Sequence, residues 1–463
     1  MLGSIAELRE AYRRRRVSPV EVTRELLERA ERLQPRINAF ITITAERALA
    51  QARAAERRLR RGDGDGDGPP LLGVPITLKD LYDQRGVPTT AGSGLRREAA
   101  AAADAPVVGR LFRAGAVSLG KTNTHELAWG ASGINPHFGA VRNPWDPERI
   151  AGGSSGGAGA AVAAGLGLVG MGTDTAGSVR IPAALCGVVG LKPTYGLVPV
   201  AGVVPLFPTL DHAGPLTRTV ADAALVLSVI AGRDRADASS VRRPKEDYTA
   251  TLGAGIEGMR VGMVAQQREN VEAEVLAAVD AAAGVLERLG ARVVAVAWPE
   301  VPSTRGIVAE GAAVHRAAFE ANPDGFGPDA RRSLEAAMEI RAVDYLAALR
   351  SVGEVRARTE ELFLAADGER VDVLVGPTMA SPARRLDATS SATGALVRLT
   401  GAYNVAGIPA ISVPCGFTSG GLPVGLQIAG RRFDEAAVLR VACAYEQASD
   451  WHLRRPAFGE SSG

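Results

Sequence analysis

GGSSGGAGAAVAAGLGLVGMGTDTAGSVRIPAALCGVVGLKPT, residues 152–194, is the segment whose reading decides the fold. Two Gly-Ser clusters bracket a helix built of small residues and a strand-like run, LGLVGMG at 166–172. Glycine lets backbone amides approach a ligand and adopt conformations closed to other residues. Two such loops brought together build an oxyanion pocket.

Outward from this segment the alternation continues. LLGVPITL (71–78), GAVSLGK (115–121), MRVGMVA (259–265), ARVVAVA (291–297) and VDVLVGP (371–377) read as strands, separated by Ala-rich helical stretches. That order predicts one large α/β domain spanning 1–463, with a mixed, largely parallel β-sheet covered by helices on both faces. Residues 1–60 read as N-terminal helices, with Ser18 as N-cap, Pro19 in the first turn and Glu21 three residues after the cap. RGDGDGDGPP at 61–70 reads as a flexible surface loop, because it holds too little apolar area to order itself. Its Asp residues resemble a calcium loop, but the distal Glu is missing. Residues 71–230 form the expected catalytic core, and the charged, helical 300–365 a lobe or cap.

The hydrophobic share of 46% supplies a substantial core, and 53 Lys plus Arg against 51 Asp plus Glu leave a formal charge of +2. This balance gives no general reason to expect nucleic acid or a membrane surface, so the expected partner is a small molecule, with a homodimer left open. The Arg13–Arg16 and Arg57–Arg61 runs read as solvated helix faces. Cys186, Cys415 and Cys443 lie far apart without metal or disulfide spacing, and no signal core or membrane-length run is present. Cytoplasm is the expected compartment.

Gly152, Gly153, Ser154, Ser155 and Gly156 satisfy G-x-S-x-G, which in an α/β-hydrolase marks a nucleophile elbow. That fold needs a downstream histidine. His315 lies in an Ala-rich helix and His452 in a polar tail, while His212 follows Asp211 in a loop. A serine without histidine takes lysine as its base, since burial keeps the amine neutral. Lys79 closes an apolar strand, as does Lys121, and the residues alone leave the two open. Cys186, in apolar PAALCGVVG, reads as a buried inert thiol. GGSSGGAG lacks the ending of a phosphate loop and the histidines lack ligand spacing, so no cofactor and no metal are expected.

GVPITLKD (73–80), GGSSGG (152–157) and GTDTAGSVRIPA (172–183) resemble the lysine motif and the two serine motifs of the amidase signature family. RNPWDPERIAGG (142–153), GLKPTYGLVP (190–199), LDHAGPLTRTVADAA (210–224) and GIPAISVPCGF (407–417) extend the resemblance over nearly the whole chain. The resemblance implies an amidase that cleaves a carboxamide through an acyl-enzyme. Lys79 is its base, Ser154 the bridging serine on a cis peptide, and Ser178 the nucleophile. The backbone amides of Thr175, Ala176, Gly177 and Ser178 form the implied oxyanion hole, where Ala176 replaces the family's more usual glycine. Ser155, Asp174 and Arg180 support the site, and Trp129 in HELAWGAS (125–132) with Phe207 in PLFPTLDH (205–212) would wall the substrate pocket. Two rival readings stand beside this one. They are the glutaminase-type A subunit of a tRNA-dependent amidotransferase, which needs partner chains and transfer RNA, and a non-catalytic small-ligand binding module.

Overall fold

Ser18 caps the helix Pro19–Ile37 with a full capping box: its Oγ accepts from Glu21 N at 3.2 Å, and Glu21 Oε2 accepts from Ser18 N at 2.8 Å. The computed structural model describes residues 3–63, 68–300, 302–364, 370–388 and 393–458. Residues 64–67 of the expected 61–70 loop, with 301 and 365 of the expected lobe, therefore lie outside the described residues. The N-terminal helices Ile5–Arg13, Pro19–Ile37 and Ala45–Arg60 are interrupted by a strand that helical spacing does not reveal, β1 (Phe40–Ile43). Four residues are too few to show a period of two.

Ten further strands follow: β2 (Pro75–Lys79), β3 (Val117–Thr122), β4 (Val169–Asp174), β5 (Val189–Lys192), β6 (His212–Thr217), β7 (Arg260–Val264), β8 (Arg292–Val296), β9 (Val373–Pro377), β10 (Ala410–Phe417) and β11 (Pro423–Gly430). They form one sheet in the order β1-β3-β2-β4-β6-β5-β10-β11-β9-β7-β8. The sheet is mixed and helices flank it. Parallel pairing is less extensive than the strand-helix alternation predicts. Among the described residues only β3–β2, β2–β4, β9–β7 and β7–β8 are parallel. The reasons are topological. β6 enters antiparallel between β4 and β5, and β10 turns into β11 through a hairpin closed by Thr418 N donating to Leu422 O at 2.9 Å.

Every residue of β2 through β6, β9 and β11 is buried, whereas the edge strands β1 and β8 are partly open. At one edge Gly120, at φ +152°, lets β3 approach β1 so closely that a Cβ would stand 2.2 Å from Thr42 O. The helix Gly156–Ala163 is buried at all positions, and its small residues bring it onto the sheet. A Cβ at Gly170 of β4 would meet Ala158 O at 3.0 Å, and one at Gly159 would meet Pro182 at 3.0 Å. The composition that looks unusual in sequence is thus the condition for close helix-on-sheet packing. No helix among the described residues is long and apolar enough to cross a membrane.

Candidate active site

β2 and β4 run parallel as neighbours, so their last residues, Lys79 and Asp174, open on the same edge of the sheet. The two serine loops pack on that edge. Lys79 is fully buried, and its Nζ donates to Ser154 Oγ and to Thr173 Oγ1, each at 2.7 Å. Burial pushes its pKa down to about 7, against smaller upward pulls from Asp174 and Asp211. A substantial neutral fraction is available near pH 7.

The Gly153–Ser154 peptide is cis. Ser154 O accepts from Thr124 Oγ1 at 2.8 Å and from His125 N at 3.3 Å, which ties it to the 125–132 segment. Ser155 N donates to Ser178 O at 3.2 Å, while Ser155 Oγ donates to Thr173 O at 3.1 Å and accepts from Thr173 N at 3.2 Å. Ser155 therefore fastens both serine loops to the end of β4. Ser178 is 6% exposed, and its Oγ makes no hydrogen bond among the described residues.

Asp174 organises the second loop. Its carboxylate accepts from Gly177 N at 2.7 Å, Val179 N at 3.2 Å, Arg180 Nε and Nη2 at 3.0 Å each, and Asn404 Nδ2 at 2.8 Å. Burial alone would raise this carboxyl, yet the Arg180 guanidinium and these donors hold it well below the usual carboxylate range. Arg180 continues to Gln427 Oε1 and Asn404 Oδ1, each at 2.6 Å. The result is a buried charge pair with its donors and acceptors engaged, which fixes the backbone around Ser178.

One expected donor is corrected by this geometry. The Gly177 amide faces Asp174, so it is not free to bind an oxyanion, and the amides of Thr175, Ala176 and Ser178 remain without acceptors among the described residues. Glycine is nevertheless required there: at φ +132° a Cβ would stand 2.1 Å from Thr400 Oγ1, which itself donates to Ala176 O at 2.5 Å. Thr175 Oγ1 donates to Asp211 Oδ1 at 2.6 Å, leaving its amide as the group that can face a ligand.

The remaining candidates sort by partner. Lys121 Nζ pairs with Asp80 Oδ1 at 2.7 Å and not with a serine, both side chains being fully buried. A third buried lysine, Lys192, donates to Ile408 O at 2.5 Å and lies 3.3 Å from His212 Nε2. The second ring nitrogen of His212 meets Leu210 O at 2.6 Å, so both nitrogens are engaged away from the serines. Among the described residues no histidine makes a hydrogen bond to the side chain of Ser154 or Ser178, and the α/β-hydrolase arrangement is absent. Cys186 Sγ donates to Ala151 O at 3.4 Å, and burial pushes the thiol up.

Trp129 and Phe207 come together. Their rings meet edge to face at 5.6 Å, and both crowd Gly311 on the helix Ala309–Ala321. Each is tethered to a serine loop. Phe207 N donates to Asp211 Oδ1 at 3.2 Å, the oxygen that also holds Thr175, and Trp129 lies in the segment bonded to Ser154 O. Leu127, Leu206, Phe319 and Phe326 complete an apolar cluster around them. Two nearby carboxylates are engaged: Glu126 accepts from Gly327 N at 2.8 Å and contacts His137 at 2.9 Å, and Glu310 accepts from Thr209 N at 2.9 Å.

Sequence reasoning does not pick out Thr173, Asp211, Thr400, Asn404 and Gln427 as parts of this site. Thr173 sits inside GTDTAG and is within reach of the motif; Asn404 and Gln427 lie more than 220 residues from Arg180, and nothing local marks them.

A protein-family model described as Amidase matches residues 21–439. The chain belongs to the amidase signature family. This is a family of enzymes acting on carbon–nitrogen bonds. The A subunit of glutamyl-tRNA(Gln) amidotransferase from Chromohalobacter salexigens is 40% identical to this family member over 99% of each chain. A bacterial aryl acylamidase of the amidase signature family superposes with a TM-score of 0.88 at 30% identity, covering 98% of this chain and 99% of that one. The A subunit of glutamyl-tRNA(Gln) amidotransferase from Thermotoga maritima superposes with a TM-score of 0.78 at 34% identity, covering 93% of this chain and 92% of its own.

These relatives overturn one expectation. Net charge argues against nucleic acid, yet proteins 40% identical to this chain carry the name of an enzyme that acts on a charged transfer RNA. The exclusion fails for a physical reason. A net charge sums over the whole surface and says nothing of local patches or of what an associated chain holds.

Proposed function

We propose that this chain is an amidase that hydrolyses a free carboxamide carrying an apolar, aryl-sized group through Ser178, Ser154 and Lys79. The observation that carries the chemistry is the 2.7 Å contact between a fully buried lysine, its pKa pushed down to about 7, and Ser154 Oγ. Neutral Lys79 takes the Ser154 proton, Ser154 takes the Ser178 proton, and Ser178 Oγ attacks the amide carbon. The free amides of Thr175, Ala176 and Ser178 stabilise the developing oxyanion, each strong donor contributing roughly 3 to 4 kcal/mol in serine hydrolases. The relay then runs backward: Ser154 returns the proton to the leaving nitrogen, and the C–N bond breaks. Water repeats the cycle on the acyl-enzyme and releases the carboxylate.

The apolar cluster around Trp129 and Phe207 supports the substrate class. Helices between 305 and 364 act in this reading as a cap over that cluster. A zwitterionic amino acid such as glutamine needs a free anion in the pocket for its ammonium group, and the two carboxylates beside these rings are already bonded. The higher TM-score to the aryl acylamidase than to the amidotransferase chain points the same way. A second reading, an amidotransferase A subunit, is favoured by the 40% identity to relatives of that name.

A substrate panel separates them. The purified chain alone is expected to hydrolyse anilides and other aryl amides faster than L-glutamine. Trp129→Ala is expected to raise KM for an aryl amide about tenfold, the equivalent of about 1.4 kcal/mol of lost apolar contact. Glutaminase activity that requires co-expressed partner chains, without hydrolysis of any aryl amide, would favour the second reading.

A further inference from the structure

A surface groove of about 630 Å³ lies between the helix Ala342–Leu364 and the turn that leaves β11. Four arginines line it, Arg243, Arg356, Arg431 and Arg432, against two carboxylates, Glu360 and Asp434. The carboxylates are already engaged. Glu360 Oε1 accepts from Arg431 Nε at 2.6 Å, and Asp434 Oδ1 accepts from Ala437 N at 3.2 Å as the cap of the helix Glu435–Gln447. Exposed Arg243 stands near Glu246. Arg356 and Arg432 are left without an ion-pair partner among the described residues.

These two guanidiniums oppose each other: burial lowers the Arg356 pKa, and the like charge of Arg432 lowers it further. Each is also held in place. The Arg356 guanidinium lies over the Tyr195 ring at 5.0 Å, with Nε donating to Val405 O at 3.2 Å and Nη2 to Thr209 O at 3.3 Å. Arg432 lies over the Phe433 ring at 5.2 Å, and Arg243 over the same ring at 4.6 Å. Phe433 takes a backbone φ of +63°, a costly conformation for a bulky residue, and its N donates to Thr194 Oγ1 at 2.8 Å. Stacking on a ring uses none of a guanidinium's donors, so the forks stay available. Arg432 Nε is sealed without a partner, but Arg432 Nη1 and Nη2 and Arg356 Nη1, equally unbonded among the described residues, keep accessible surface. They are the nitrogens that a ligand in the groove can reach.

We propose that this groove is a second ligand site for a phosphoryl dianion, free phosphate or the head of a small phosphomonoester, bridging Arg356 and Arg432. A phosphomonoester carries roughly −1.5 to −2 charges at pH 7, which matches two guanidiniums, and its oxygens accept from both forks. The volume is that of a small-molecule site, and Glu360 and Asp434 in the lining disfavour a longer polyanion. No residue of the serine loops lines the groove, and the amide chemistry does not require it.

Inorganic phosphate and glycerol 3-phosphate are the probes, titrated calorimetrically into the full chain, with acetate as the monoanion. The tighter of the two names the source of the phosphoryl group, and it is expected to bind at least about tenfold more tightly than acetate. Arg432→Gln, which breaks no hydrogen bond among the described residues, is expected to weaken it at least about tenfold. Arg24→Gln, the same loss of charge at an exposed position of the helix Pro19–Ile37, is expected to leave it unchanged. Should Arg432→Gln fail to fold, Arg356→Gln is expected to weaken the probe by as much, and hydrogen exchange in the unaltered chain should slow at 431–437 when the probe is bound. No binding of either probe, affinity no better than for acetate, an equal loss in Arg24→Gln, or protection only at the serine loops would overturn the proposal. Tighter binding of a single-stranded RNA, lost in Arg432→Gln, would overturn it too, by assigning these arginines to a polyanion.

Discussion

Lys79→Met is expected to lower turnover by at least about four orders of magnitude while leaving the protein more resistant to unfolding. The first effect follows from the relay: without the amine, no base accepts the Ser154 proton, and the donor loop alone remains. The second follows from burial. Folded Lys79 titrates at about 7, whereas the unfolded side chain titrates near its ordinary value of 10.5. Between those limits the unfolded chain binds more protons than the folded one, so this group's contribution to stability rises with pH from about 7 to about 10.5. At pH 7 the lysine therefore opposes folding, and a methionine of similar length removes that opposition. The same titration governs rate. Acylation by the wild type is expected to climb through a limb near pH 7 and level off above it, and Lys79→Met should lose the limb. Turnover, a thermal midpoint and a pH-rate profile measured together separate lost chemistry from lost structure, since a misfolded variant would lose the midpoint as well.

Arg180→Met is expected to destabilise the fold by about 3 to 5 kcal/mol in urea denaturation and to abolish measurable turnover. The cost arises because Asp174 would be left as a buried anion whose main counter-charge is gone. Asp174 also holds Gly177 N and Val179 N, so its rearrangement shifts the amides that flank Ser178. Combining Arg180→Met with Asp174→Asn should recover part of the stability, because the uncompensated charge is removed, but not the turnover. Full additivity of the two substitutions would mean that the pair does not act as a unit.

What the sequence made legible, and what it hid, can be followed through the lysines. Lys79 and Lys192 end buried strands and Lys121 stands one residue before the end of another, so the local pattern is nearly the same for all three. Only the partner separates them: Ser154 for the first, Asp80 for the second, a carbonyl and His212 for the third. Partner identity depends on sheet order, which no window of sequence contains. The helix start at Ser18 was readable because a capping box is satisfied within four residues. The support of Arg180 by Asn404 and Gln427 was not, because those bonds close across more than 220 residues. The mixed pairing of the sheet was hidden for a related reason. Alternating strands and helices predict crossovers, but they do not reveal that β6 inserts antiparallel between two strands that precede it in the chain. Composition failed in a different way: a charge close to zero was a poor guide to partners, since it averages over the surface on which recognition occurs.

In the proposed mechanism Ser178 Oγ becomes acylated, Ser154 passes the proton and Cys186 stays inert in its apolar setting. Mass spectrometry of the enzyme quenched during turnover of a slowly deacylating aryl ester, followed by peptide mapping, addresses this directly. The acyl group is predicted on Ser178, and only there. An adduct on Ser154 or Cys186, or undiminished turnover by Ser178→Ala, would contradict the account.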